Sequence, residues 1–100
     1  MAMATLSDFE ISDALAGLPG WERAGGAITR EFRFAGFPDA IAFVVRLSYD
    51  AEAADHHPDL DVRYNRVRVT LSTHSEGGVT TKDLDLARAA DLAGGGAATR

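Results

Sequence analysis

Two short segments in which apolar and polar residues alternate constrain the fold of this chain more than any other feature. In residues 28–34 one face is mostly apolar, and in residues 67–72 valine and leucine alternate with arginine, threonine and serine. A period of two is typical of a β-strand with one face on the core and the other in water. We therefore expect a sheet that is apolar on one side only.

A long apolar helix is expected between these two strands. Phe37-Pro38-Asp39 is a typical helix start, because proline is tolerated in the first turn. Apolar residues then recur at helical spacing and cover much of the circumference, which is typical of a central core helix. The helix should end near Ala54, because Pro58 and the residue before it disfavour its continuation.

Shorter elements complete the pattern. Ser7 and Glu10 have the spacing of a capping box and predict a first helix, which residues 19–20 (Pro-Gly) end. Residues 21–24 are predicted to pair with the strand after the Gly25-Gly26 turn. Residues 61–63 predict a weak strand before a turn at 64–65, and residues 80–83 open a last helix.

The predicted order is therefore α-β-β-α-β-β-α. This order favours an α+β fold with a four-stranded antiparallel sheet and helices packed on one face. The length of 100 residues suits one domain, which we expect to span residues 1–93. Residues 94–100 (Gly-Gly-Gly-Ala-Ala-Thr-Arg) are expected to form a flexible tail.

Composition excludes several classes of function. The net charge of −5 argues against a nucleic-acid partner, which would require a basic surface. The absence of cysteine excludes disulfides, thiolate nucleophiles and cysteine-based zinc sites. The first residues lack the pattern of a signal peptide, and no apolar run is long enough to span a bilayer. We therefore expect a cytoplasmic protein with no membrane partner.

All three histidines of the chain lie in one stretch rich in carboxylates. His56 and His57 precede Pro58, and we expect His74 to continue the polar face of the second alternating strand. Histidine can accept and donate protons near neutral pH, so this grouping indicates general acid–base catalysis. Glu52 precedes His56 by four residues and could orient it. The alternative to catalysis is that His56 and His57 are exposed loop residues without a role, and that His74 simply lies on the polar face of a strand.

A metal site is the second alternative. Zinc could take one histidine of the His56-His57 pair, His74 and a carboxylate from Glu52 or Asp55. The spacing matches no usual ligand pattern, because HExxH and HxH are both absent. We therefore predict no metal. Two other residues also have alternatives: Trp21 could be plain core, and Asp83 could simply stabilise the start of the last helix.

Together these residues resemble the pterin-4a-carbinolamine dehydratase family. The resemblance covers roughly residues 5 to 93, and its most specific part is Glu-x-x-x-His-His-Pro followed by Thr-His. The matching positions are Gly20, Trp21, Phe32, Phe34, Phe37, Ala40, Phe43, Ala51, Glu52, His56, His57, Pro58, Tyr64, Val67, Leu71, Ser72, Thr73, His74, Gly78, Thr80, Asp83, Leu86 and Ala87.

The resemblance implies an enzyme without cofactors. It would remove water from 4a-hydroxytetrahydropterin to give quinonoid dihydropterin, in the recycling of the pterin used by aromatic amino acid hydroxylases. His56 and His74 would then be the acid and the base, in an order that the resemblance leaves open. His57 would contact the substrate. Glu52 and Asp55 would support the histidines or the pterin ring, and Ser72 and Thr73 would offer backbone contacts to the ring. Asp83 and Trp21 would border the pocket.

The resemblance also implies a homodimer or homotetramer. Family members associate by extending the sheet and packing helices between subunits. This chain departs from the pattern at Leu60, where many animal members carry an aromatic residue, and in its glycine-rich end. A non-catalytic role is the alternative function, because some relatives bind a transcription factor and others serve as assembly factors. The presence of all three histidines favours catalysis.

Overall fold

The computed structural model describes residues 4–95 and has the predicted order of elements. Three helices and four strands follow one another as α-β-β-α-β-β-α, which confirms the α+β fold. Their bounds are α1 (Asp8–Ala16), β1 (Glu22–Ala24), β2 (Ala27–Arg33), α2 (Phe37–Ala53), β3 (Asp59–Arg63), β4 (Arg66–Leu71) and α3 (Thr81–Gly94). Every helix within this part of the chain is too short or too polar to cross a membrane.

The four strands form one antiparallel sheet in the order β1-β2-β4-β3. The two alternating segments are the central strands, and their register places Phe32 opposite Val67 and Ile28 opposite Leu71. This pairing aligns the apolar face of β2 with that of β4. A shift by one residue would turn every apolar side chain of one strand into water, so the alternation specifies the register.

The core lies between this apolar face and the helices. Phe32, Phe43 and Leu47 are completely buried, and the rings of Phe32 and Phe43 lie 4.7 Å apart between centroids. Burial of each such side chain contributes roughly 1.5–3 kcal/mol to folding. Helices α2 and α3 pack on each other and on β4. The sheet and α2 therefore form the frame from which the loops project.

Both terminal helices begin with the same capping arrangement. The Ser7 hydroxyl accepts a hydrogen bond from the backbone N–H of Glu10, whose carboxylate accepts one from the backbone N–H of Ser7. The backbone N–H of Ser7 is the main cause that lowers the pKa of Glu10 below its ordinary value. Thr80 and Asp83 form the equivalent box at the start of α3. The box at Ser7 confirms the predicted start of α1.

The end of β4 differs from the prediction. We expected His74 to continue the strand, but β4 ends at Leu71 and His74–Glu76 forms a 3-10 turn. The cause is local: the Thr73 carbonyl accepts hydrogen bonds from the backbone N–H groups of Glu76 (2.9 Å) and Gly77 (3.0 Å). Gly77 has a φ of 75°, which favours glycine at the end of this turn.

The last helix extends further than the sequence predicts. α3 continues to Gly94, the first residue of the predicted tail. Residues 96–100 of that tail lie outside the described part of the chain. Helix α2 ends at Ala53, in agreement with the predicted end near Ala54.

Candidate active site

A cleft of about 400 Å³ lies where the turn after α2 faces the connection from β4 to α3. All three histidines line it, so the fold brings the His56-His57 pair and His74 to the same cleft from two different connections. The lining residues are Asp55, His56, His57, Ser72, Thr73, His74, Ser75 and Lys82. The sequence thus predicted this grouping of histidines, and the structure supplies the cleft between them.

The turn after α2 orients the first two histidines. Asp55 has a φ of 50°, in the left-handed region that aspartate tolerates better than most residues. The backbone N–H of His56 then donates back to the carbonyl of Ala51 at 3.0 Å. This reversal directs His56 toward α3, and Pro58 limits the freedom of the backbone that follows.

His56 is held by a buried carboxylate. Its Nε2 lies 2.6 Å from Oδ1 of Asp83, the side chain of which is completely buried. The His56 side chain itself is only 10 % exposed. A carboxylate can only accept hydrogen bonds, so Nε2 of His56 is the donor. In the neutral imidazole, Nδ1 is then unprotonated and can accept a proton.

Two threonines complete the surroundings of Asp83. Its Oδ2 accepts from the Thr73 hydroxyl at 2.8 Å and from the Thr80 backbone N–H at 2.9 Å. The Thr73 and Thr80 hydroxyls are 2.7 Å apart, and since Thr73 donates to Asp83, Thr80 donates to Thr73. Asp83 therefore has three donors, and residues 4–95 contain no buried side-chain nitrogen or oxygen without a partner.

His57 has a different carboxylate partner. Its Nε2 lies 2.9 Å from Oε1 of Glu52, and both side chains are largely exposed. The suggestion that Glu52 orients His56 is therefore corrected: Glu52 pairs with His57, and Asp83 pairs with His56. His56 and His57 are adjacent residues that follow the turn at Asp55, and their imidazoles meet carboxylates on different elements, α3 and α2.

His74 is exposed at the start of the 3-10 turn, on the opposite wall of the cleft. No hydrogen bond or ion pair engages its imidazole within the described chain, so both ring nitrogens can meet a ligand. Ser72 and Thr73 precede it and also line the cleft. The Ser72 hydroxyl donates to the Gly26 carbonyl at 3.0 Å, which fixes this wall to the turn between β1 and β2.

Trp21 does not line the cleft, although we expected it to border the pocket. It is 5 % exposed, its ring packs edge-on against Phe32, and its Nε1 donates to Asp91 on α3 at 2.9 Å. The same Asp91 oxygen accepts from Arg30 at 2.8 Å. The placement matches the alternative interpretation of Trp21 as a core residue.

Sequence reasoning missed Lys82 and Ser75 as lining residues. Lys82 is the only lysine or arginine among the described residues of the cleft wall. Its position next to Asp83 in the first turn of α3 was visible in the sequence, but nothing there indicated which way its side chain points. Within residues 4–95, no three histidine, aspartate or glutamate side chains are arranged to hold a metal ion.

Comparison with known proteins identifies the family. The model of the family described as "Pterin 4 alpha carbinolamine dehydratase" matches residues 4–93. A protein named "Putative pterin-4-alpha-carbinolamine dehydratase" from Chloroflexus aurantiacus is 54 % identical over 89 residues, which cover 89 % of this chain and 96 % of that protein. A protein of the same name from Mycobacteroides abscessus is 53 % identical, with coverage of 89 % and 95 %.

Solved structures agree with this assignment. A "transcriptional coactivator/pterin dehydratase" from Brucella melitensis superposes with a TM-score of 0.88 at 43 % identity, over 91 % of this chain and 99 % of that chain. A pterin dehydratase-like RuBisCO assembly factor of the alpha-carboxysome shares only the fold, with a TM-score of 0.63 at 18 % identity. With a family model that spans almost the whole chain and relatives above 50 % identity, this chain belongs to the pterin-4a-carbinolamine dehydratase family.

Proposed function

We propose that this protein is a dehydratase that converts 4a-hydroxytetrahydropterin to quinonoid dihydropterin and water. The observation that carries the proposal is the convergence of three histidines on one cleft, with His56 held by the buried Asp83. Family membership supplies the substrate class, and the structure supplies side chains suited to proton transfer. The reaction would be one step in the recycling of the pterin that aromatic amino acid hydroxylases use.

The reaction requires two proton transfers. The bond from C4a to its hydroxyl oxygen breaks, and that oxygen takes up a proton and leaves as water. The ring nitrogen next to C4a loses its proton, and a double bond forms between this nitrogen and C4a. The substrate loses one hydroxide and one proton, which together make one water. The reaction therefore needs no oxidant or reductant. Two imidazoles near neutral pH suit these roles.

We assign the base to His56. With Nε2 bonded to Asp83, its Nδ1 accepts the proton of the ring nitrogen, and the Asp83 carboxylate stabilises the imidazolium that forms. We assign the acid to His74, whose imidazole is exposed to the cleft. His57, paired with Glu52, would hold the leaving hydroxyl in place. Asp55, Ser72 and Thr73 would contact the pterin ring from the cleft wall.

The test is dehydratase activity on substrate generated in situ by an aromatic amino acid hydroxylase, with a metal chelator present. Wild type is compared with His56→Ala, His57→Ala and His74→Ala, each checked for folding. We expect kcat to fall by about 10²- to 10⁴-fold for His56→Ala and His74→Ala. The loss for His57→Ala should be smaller and should include an increase in KM. Full activity in both His56→Ala and His74→Ala would refute the assignment.

We also propose a homo-oligomer that forms through α2. Four large apolar or aromatic side chains recur every four residues along this helix and are exposed to between 38 % and 74 %: Phe37, Ile41, Val45 and Tyr49. A continuous apolar stripe on a surface helix is typical of a helix–helix interface. A second copy of this chain is the natural partner, because the same stripe on both copies can pair symmetrically.

Sedimentation velocity tests this assembly. Wild type should sediment as a dimer or tetramer, and Val45→Glu should shift the protein toward monomer at equal concentration. Asp50→Asn, on the same helix but outside the stripe, is the matched control and should not change the distribution. A wild-type monomer at high concentration would exclude this interface.

A further inference from the structure

The face of the sheet opposite the core ends in a row of three arginines. The register places Arg66 of β4 directly opposite Arg33 of β2 and also opposite Arg63 of β3. Because partner residues of an antiparallel pair point to the same side, all three side chains belong to the face opposite the buried Val67. Like charges in directly opposite positions destabilise a sheet, so this row has a cost in stability.

The next row on the same face consists of Glu31, Arg68 and Asp61, and its carboxylates do not fully neutralise the charge of the three arginines. Arg68 pairs with Glu31 at 3.5 Å, and Arg63 pairs with Asp61 at 3.2 Å. These two contacts engage both carboxylates of that row. Arg33 and Arg66 have no hydrogen bond or ion pair from their side chains to any residue in the range 4–95. This end of the sheet is therefore locally positive in a chain with a net charge of −5.

Two of the three arginines, Arg63 and Arg66, also line a shallow cavity. This space of about 220 Å³ is lined in addition by Arg68 and by the paired carboxylates of Glu31 and Asp61. It shares no lining residue with the histidine cleft. Arg66 lies in the centre of the arginine row and opens into this space, with Arg33 beside it on the next strand.

We propose that this surface, which we call the arginine row (Arg33, Arg63 and Arg66), binds a doubly charged oxyanion of the phosphate monoester class. Guanidinium groups present their N–H donors in a planar fork that matches the oxygens of phosphate. A phosphate monoester carries up to two negative charges and three terminal oxygens. It can therefore engage two guanidinium groups together, whereas a single carboxylate offers two oxygens and one charge. Binding would offset the repulsion between Arg33 and Arg66.

The test is a titration of ¹⁵N-labelled protein with inorganic phosphate at low ionic strength. Chloride at matched ionic strength is the control for screening. We expect saturable shifts of the backbone amides of Arg33, Arg63 and Arg66 with phosphate but not with chloride. Arg66→Gln and Arg33→Gln should each weaken binding by about tenfold, as expected for the loss of one charge-assisted contact. Arg88→Gln should bind like wild type, because Arg88 is an exposed α3 residue paired with Asp85.

Three results would overturn the proposal. Shifts that grow linearly with phosphate, or that chloride reproduces, would mean screening without a site. Shifts confined to His57, His74 and Lys82 would place the anion in the histidine cleft. Wild-type affinity in both Arg33→Gln and Arg66→Gln would show that the arginine row does not hold it. The outcome does not depend on dehydratase activity, so the two proposals can fail separately.

Discussion

Replacement of Asp83 by asparagine tests how the buried carboxylate controls His56. Asparagine has the same shape but one acceptor oxygen and one NH₂ group. The Thr80 N–H and the Thr73 hydroxyl both donate to Oδ2, so the amide oxygen should take that position. The NH₂ group then faces Nε2 of His56, which must accept. The imidazole proton therefore moves to Nδ1, and His56 loses the free nitrogen that serves as base.

The cost in stability follows from the same contacts. Asp83 receives three hydrogen bonds, and a bond to a charged group contributes about 1.5–3 kcal/mol against about 0.5–1.5 kcal/mol for a neutral one. Loss of the charge should therefore cost about 1 kcal/mol per bond, or roughly 3 kcal/mol in the free energy of unfolding. That is a large part of the roughly 5–15 kcal/mol that stabilises a typical domain.

Urea unfolding, kcat and the ¹⁵N shifts of the His56 ring measure the three consequences of Asp83→Asn. We expect a proton on Nδ1 of His56 and a fall in kcat of about 10²- to 10⁴-fold. Asp85→Asn is the matched control on the same helix, because Asp85 is exposed and its pair with Arg88 should contribute less than about 1 kcal/mol. An Asp83→Asn protein with wild-type kcat, or with its proton still on Nε2, would refute the reasoning.

Three further predictions follow from named contacts. Thr73→Val should lower the free energy of unfolding, measured in urea, by about 1–3 kcal/mol, because it removes a donor to Asp83 and the acceptor of the Thr80 hydroxyl. An unchanged free energy of unfolding would contradict the hydrogen bonds assigned to Thr73. Lys82→Gln should raise the KM for the pterin by about tenfold with little change in kcat, if its charge contacts the bound ring; an unchanged KM would exclude that contact. The lowered pKa of Glu10 stabilises the fold above the pKa of the unfolded chain, and this contribution is lost as the pH falls through the folded pKa. Glu10→Gln should therefore be less stable than wild type at neutral pH and equal to it in acid, as measured by thermal unfolding across pH; a difference that persists in acid would contradict the linkage.

Much of the fold could be predicted because local chemistry and long-range packing agree in this chain. The alternation in β2 and β4 specified both strands and their buried faces, and the Ser7–Glu10 capping box marked the start of α1. Residues 80–83 marked the start of α3, although the capping role of Thr80 was recognised only in the structure. The weakest prediction was the end of β4. His74 kept the polar position of the strand pattern, but the backbone hydrogen bonds to the Thr73 carbonyl end the strand first, and no side-chain pattern reveals them.

The grouping of the three histidines could be predicted, but their partners could not. The histidines were singled out because they lie close together in the chain, and all of them line the cleft. Their partners were not recognisable, because the two imidazoles that follow the turn at Asp55 meet carboxylates on different elements, Glu52 on α2 and Asp83 on α3. Asp83 is remote from His56 in the chain, and only the packing of α3 against α2 brings them together. Trp21 was placed at the site by resemblance alone, and it packs in the core.

The most direct measurement is the rate at which purified protein accelerates the dehydration of 4a-hydroxytetrahydropterin over the spontaneous reaction. A double variant, His56→Ala with His74→Ala, serves as the folded reference under the same conditions. The account predicts clear acceleration by wild type and a rate close to the spontaneous one in the double variant. A folded wild-type protein that gives no acceleration would contradict the account and would favour a non-catalytic pterin-binding or protein-binding role.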